Sequence, residues 1–203
     1  MKILLFALSV VFLFSCDQGV LNKRIDLIDQ YLQGQAEFFN FNGNVLIAEK
    51  GKVLYQKSFG LADYSTGQVL NDSSVFELAS VSKQFTAMGI LILKGQGKLD
   101  LTDTLRHFLP ELPYSNITLH HMLTHTSGLP DYFEIMTSLW DQDKIAVNQD
   151  VIDLLVKEKP EIYFEPGTQW EYCNTAYLLL ASIIERVSGM TFKDFMAMHI
   201  LNR

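Results

Sequence analysis

The chain has 203 residues and carries 16 Lys and Arg against 23 Asp and Glu, a formal charge of −7. Its apolar fraction of 48% is enough for a buried core and excludes wholesale disorder. Two cysteines are too few for a disulfide-stapled miniprotein, and the absence of a basic cluster argues against a nucleic-acid partner.

Met1-Lys2 is followed by an apolar run from Ile3 to Phe14 and then by Ser15-Cys16. Rising about 1.5 Å per residue, that run covers about 18 Å, well short of the ~30 Å hydrocarbon layer. Residues 1–15 therefore read as a secretory leader. Leu13-Phe14-Ser15-Cys16 resembles a lipoprotein cleavage motif, so the expectation is lipidation at Cys16, export, and anchoring to the membrane at the cell envelope. Plain periplasmic secretion is the alternative. A lipidated Cys16 leaves Cys173 without a partner, and no internal disulfide is expected.

Residues 16–40 read as linker and helix, the helical part running from Leu21 to about Phe38. Asn44–Glu49 and Val53–Phe59 read as strands on either side of a Lys50-Gly51 turn, an antiparallel hairpin. The stretch from Gly60 to Ser74 is polar and turn-rich. Val81, Phe85, Met88 and Ile92 recur at helical spacing, a face closed by Gly95 and Gly97. Further helices are expected over Thr102–Phe108, Thr118–His125 and Val151–Lys157. A longer one carries Ala176, Leu179, Leu180, Ile183, Ile184 and Val187 on one face and stops at Gly189, after which Thr191–Asp194 reads as a capping box. Strands come first and helices after, with no strand to finish the sheet. That order predicts an α/β (α+β) domain over residues 41–203 whose antiparallel sheet is incomplete, because a lone hairpin is marginal in water.

Two short motifs carry the chemistry. In Ser80-Val81-Ser82-Lys83 a hydroxyl and an amine lie one helical turn apart, beside the donor-rich start of a helix. In Tyr172-Cys173-Asn174 a phenol and a carboxamide are separated by one residue, after a Pro166-Gly167 turn. Taken alone, the first reads sooner as a solvated helix start and the second as a packed tyrosine with an Asn cap. His121 and His125 are spaced for zinc, but Met122 follows His121 and no third ligand is evident, so neither a metal nor a cofactor is expected. Asp141–Asp143 reads as solvated surface.

Four ordered stretches change the weight of these motifs: Phe76–Lys83, Gly97–Asp103, Thr118–Leu129 and Phe164–Thr175. From about Asn42 onward the chain resembles the serine β-lactamase-like family, which takes in class C β-lactamases, DD-peptidases, penicillin-binding proteins and related esterases. The resemblance implies a β-lactamase/transpeptidase-like fold and an acyl-enzyme mechanism on an amide, ester or β-lactam, with a small-molecule or peptide-like substrate. It makes Ser80 the acylated nucleophile, Lys83 its activating partner and Tyr172 the proton shuttle. Asn174 then bonds the substrate amide and Lys83.

Cys173 stands where the family usually has Ser, and an oxidisable thiol beside the site is the expected consequence. The family also ends on a strand carrying a Lys/His-Thr/Ser-Gly triplet, yet only 203 − 174 = 29 residues follow Asn174 and none form one. His125-Thr126-Ser127-Gly128 looks like the triplet but precedes Tyr172. A fragment with weak or no turnover is therefore expected, and a non-catalytic penicillin-recognition-like binding protein is the alternative function. Ionising a tyrosine or neutralising a lysine at pH 7 costs roughly 4–5 kcal/mol. Lys83 and Tyr172 must share that cost, as neutral amine or as phenolate beside ammonium.

Overall fold

The computed structural model describes the backbone of residues 2–202 and the side chains of residues 19–202. The side chains of the leader and of Cys16 lie outside those described. Contacts divide the chain into two compact units, one ending at Glu77 and the other starting at Leu78, a boundary inside the stretch read as one domain.

In the first unit, helix α1 (Lys2–Phe39) precedes strands β1 (Gly43–Glu49) and β2 (Lys52–Phe59), which pair antiparallel from Gly43↔Phe59 to Glu49↔Lys52. Lys50 and Gly51 both take positive φ (51° and 77°), the two-residue turn whose twist suits a hairpin. One face of the hairpin meets α1: Asp29 accepts hydrogen bonds from Tyr55 Oη and Lys57 Nζ, each at 2.7 Å. The stretch read as merely turn-rich contains a second small hairpin, β3 (Leu61–Asp63) with β4 (Gln68–Val69). Its strands are two and three residues long, too short to show alternation in sequence.

The second unit is helical. A 3₁₀ turn (Ala79–Ser82) leads into α2 (Lys83–Gly95), followed by α3 (Leu105–Phe108), α4 (Leu119–Leu123), α5 (Tyr132–Leu139), α6 (Asn148–Glu158), α7 (Asn174–Ser188) and α8 (Phe192–Met196). Its core holds Ile90, Leu105, Met122, Leu155, Leu179 and Phe195, all essentially inaccessible. Helix α2 ends as its sequence indicates: Lys98 N–H reaches Leu93 O and Gly97 N–H reaches Lys94 O, with Gly97 at φ 69°.

Of the face marked by Val81, Phe85, Met88 and Ile92, only Phe85 and Ile92 pack against the core. Val81 and Met88 are exposed, whereas Thr86, Gly89, Ile90 and Leu93 are buried. A Cβ at Gly89 would lie 2.8 Å from both Ile184 Cδ1 and Met196 Cε, so the helix is packed closest where it has no side chain. Helix α5 has no counterpart among the expected elements. Asp131 caps it by accepting the Phe133 N–H at 2.9 Å, and Glu134 follows three residues after the cap, a signature readable in the sequence.

Candidate active site

Every element of the site lies within the second unit. Ser80 is in the 3₁₀ turn rather than at the start of an α-helix, and Lys83 opens α2. At three residues per turn, positions i and i+3 eclipse, which aligns the two side chains more squarely than an α-helical turn does. Lys83 Nζ donates to Ser80 Oγ at 3.2 Å. The residue before the serine, Ala79, has φ 45°, a left-handed conformation that costs a non-glycine residue about 1–2 kcal/mol. The donor-rich start expected beside Ser80 is partly spent: the Val81 N–H is bonded to Leu78 O at 3.0 Å.

Tyr172 and Asn174 arrive from the segment that enters α7. The Tyr172 hydroxyl donates to Ser80 Oγ at 2.5 Å, and Lys83 Nζ also donates to Asn174 Oδ1 at 2.8 Å. The structure thus brings together all four residues that the two motifs single out, across 92 positions of chain. Tyr172 and Ser80 are exposed, so a ligand can reach the shared oxygen. The Lys83 ammonium beside Tyr172 is the largest cause holding its phenol below the ordinary tyrosine value, and the Ser80 hydrogen bond is the next. Lys83 also lies 4.8 Å from the Tyr172 ring centroid.

Two further residues shape the site, and the motifs do not reveal them. Asp131 accepts the Asn174 Nδ2 hydrogen bond at 3.0 Å, turning the amide so that its oxygen faces Lys83. One amide hydrogen of Asn174 is left for a ligand. His125 stacks on Tyr172 with centroids 4.7 Å apart, and its Nδ1 accepts the Cys173 N–H at 3.0 Å. Burial, and then the Lys83 charge, hold His125 below its ordinary value, as an acceptor nitrogen requires. His121 Nδ1 in turn accepts the Thr118 N–H at 3.3 Å within the cap of α4. Each histidine of the zinc-spaced pair has a structural partner. Among the described residues no group of three or more His, Cys, Asp or Glu is placed to hold a metal.

The loop at His125–Gly128 is not a sheet edge. It pairs backbone to backbone with the Tyr172 segment: Glu171 N–H to His125 O at 2.9 Å, Gly167 N–H to Thr126 O at 2.8 Å, and Tyr163 N–H to Gly128 O at 2.8 Å.

Cys173 differs from its expected role. It is a free thiol, 4% exposed, whose Sγ accepts the Ala176 N–H at 3.4 Å and donates to Leu129 O at 3.6 Å. It caps α7, and burial pushes its thiol up, away from the reactive thiolate. Native protein should resist iodoacetamide at Cys173 and react fully in denaturant, with Cys173→Ser retaining the fold. Rapid native alkylation would refute this.

The beta-lactamase family model matches residues 33–203. The chain belongs to that family. Over 174 residues it is 49% identical to penicillin-binding protein 4* of Bacillus subtilis, covering 86% of this chain and 38% of that protein. It is 32% identical to esterase EstB of Burkholderia gladioli, covering 87% and 48%. A penicillin-binding protein from Bacillus halodurans superposes with a TM-score of 0.75 at 30% identity, over 84% of this chain and 52% of that one. The fold is β-lactamase/transpeptidase-like, and the chain spans about half or less of the length of these relatives.

Proposed function

We propose that this chain carries the nucleophilic half of a serine hydrolase site that works through an acyl-enzyme on an amide, ester or β-lactam carbonyl. The observation that carries the reading is the single oxygen Ser80 Oγ, held at once by Tyr172 Oη at 2.5 Å and Lys83 Nζ at 3.2 Å. The Tyr172 phenolate, stabilised by the Lys83 ammonium, takes the Ser80 proton as Oγ attacks the carbonyl carbon. The tetrahedral intermediate collapses by breaking the bond to the leaving group, which accepts that proton from Tyr172. Water, deprotonated by the same phenolate, then adds to the Ser80 ester; the bond from the acyl carbon to Ser80 Oγ breaks, Oγ takes the proton back from Tyr172, and the acid leaves. Asn174 holds Lys83 and offers its remaining amide hydrogen to the substrate. The family relatives include an esterase and a D-aminopeptidase, which supports carbonyl hydrolysis as the reaction class.

A fluorophosphonate probe asks only for an activated serine. It should label the protein at a peptide containing Ser80, and Ser80→Ala should abolish the labelling. Equal labelling of Ser80→Ala, or none of the wild type, overturns the reading; the second result leaves a pocket that binds without acylating.

A further inference from the structure

We propose that His125 is a positioning residue, which holds the Tyr172 phenol over Ser80 through its ring face and through the Cys173 N–H. The inference rests on the hydrolase reading for its consequence, though not for its geometry.

Three independent observations meet at this histidine. First, the backbone of His125 is held at φ 59°, a conformation that β-carbon-bearing residues other than Asn, Asp and His seldom adopt. The strain persists because the loop is locked by its backbone bonds to Glu171, Gly167 and Tyr163. Second, the imidazole touches two tyrosines of the site. It stacks on Tyr172 at 4.7 Å and 27°, and lies 5.1 Å from Tyr177, whose hydroxyl is tied to Leu123 O at 3.0 Å. Tyr177 is thus anchored, and the imidazole carries that anchorage to Tyr172, which is otherwise 43% exposed. Third, Nδ1 takes the backbone N–H of Cys173, the residue directly between Tyr172 and Asn174.

A side chain on solvent gains little orientation from its own rotamer preferences, because several staggered wells are open to it. Here the ring plane comes from a stacked neighbour and the backbone from an acceptor on that same neighbour. Freed of both, Tyr172 samples positions away from Ser80 Oγ and Lys83. Its phenol then loses the causes that keep it acidic, and proton transfer slows, since a misplacement near 1 Å can cost about 10²-fold.

The variants are His125→Ala, which removes ring and acceptor, and His125→Asn, which tolerates positive φ and places an acceptor near the Nδ1 position. Two readouts are taken on the full chain. The Tyr172 ¹³Cζ resonance is titrated by NMR, and fluorophosphonate labelling of Ser80 is timed. In His125→Ala the Tyr172 titration should move up toward the ordinary tyrosine value and labelling should slow at least about tenfold. His125→Asn should lie between Ala and wild type on both. An unchanged Tyr172 titration in the variants that fold, checked by thermal melts, overturns the proposal. If the wild type itself is not labelled, the hydrolase reading fails, and the titration still decides whether His125 positions Tyr172.

Discussion

Lys83→Met should slow acylation of Ser80 by on the order of 10³-fold and move the rising limb of its pH dependence to higher pH. Met matches the aliphatic stem and removes only the ammonium, so a loss of packing cannot account for the effect. Two hydrogen bonds disappear, at 3.2 Å to Ser80 Oγ and 2.8 Å to Asn174 Oδ1, along with the cation over the Tyr172 ring. The sign of the pH effect follows from Tyr172. The Lys83 ammonium is the largest cause lowering its phenol, and the Asp131 carboxylate acts the other way. Without Lys83 the phenol ionises at higher pH, so at a given pH less of the base is present, and the rate limb shifts upward. General-base catalysis contributes roughly 10²–10⁴-fold, and loss of the hydrogen bond that orients Asn174 adds to it. Stopped-time labelling with fluorophosphonate between pH 6 and pH 10 reads both quantities. A variant labelled at the wild-type rate, or with its limb unmoved, would show that Lys83 neither activates Ser80 nor acidifies Tyr172.

The second large effect is on stability. Gly128→Ala should destabilise the second unit by about 2–5 kcal/mol, summing a left-handed penalty of about 1–2 kcal/mol and an overpacking cost of about 1–3 kcal/mol. Gly128 has φ 70°, and a Cβ there would sit 2.0 Å from the carbonyl oxygen of Phe164. That atom is backbone, with no rotamer to yield, in a segment that Gly128 O itself holds through the Tyr163 N–H. Gly97→Ala is the control. Gly97 has φ 69° but nothing within 4 Å of its would-be Cβ, so only the conformational penalty applies. Urea titrations of the two variants against wild type separate the terms. Equal midpoints for Gly128→Ala and Gly97→Ala would mean that the loop can open away from Phe164, and the clamp on the Tyr172 segment would then be soft.

Much of the local structure was legible before any tertiary contact was known. The hairpin around Lys50-Gly51, the stop of α2 at Gly95 to Gly97, the end of α7 at Gly189 and the Thr191 cap follow from turn chemistry and side-chain period, which are properties of neighbouring residues. The pairing of Ser80 with Lys83 is of the same kind. It needs only one turn of helix, and the 3₁₀ geometry eclipses the two positions. The resemblance in four ordered stretches joined this pair to Tyr172 and Asn174.

Other features were hidden for identifiable reasons. The closest approach of α2 to its neighbours is at Gly89, which no pattern of large apolar residues marks. Helix α5 is announced by its Asp131 cap, a signal only a few residues long. His121 and His125, four apart, have the spacing of a zinc pair on a helical face, yet the positive φ of His125 takes it out of the helix and aims it at a tyrosine 47 positions on. Cys173, whose place between Tyr172 and Asn174 suggests an oxidisable thiol beside the site, faces inward and caps α7.

Sequence alone determined which residue types could perform acyl transfer and which of them sit one turn apart, because both depend on covalent identity and short-range backbone geometry. Only the tertiary structure decided that one serine oxygen is held by both a phenol and an ammonium, which way the Asn174 amide points, and what steadies Tyr172. Those outcomes depend on contacts between segments dozens of residues apart, whose meeting is set by how helices pack and loops clamp, and no local pattern in the chain encodes it.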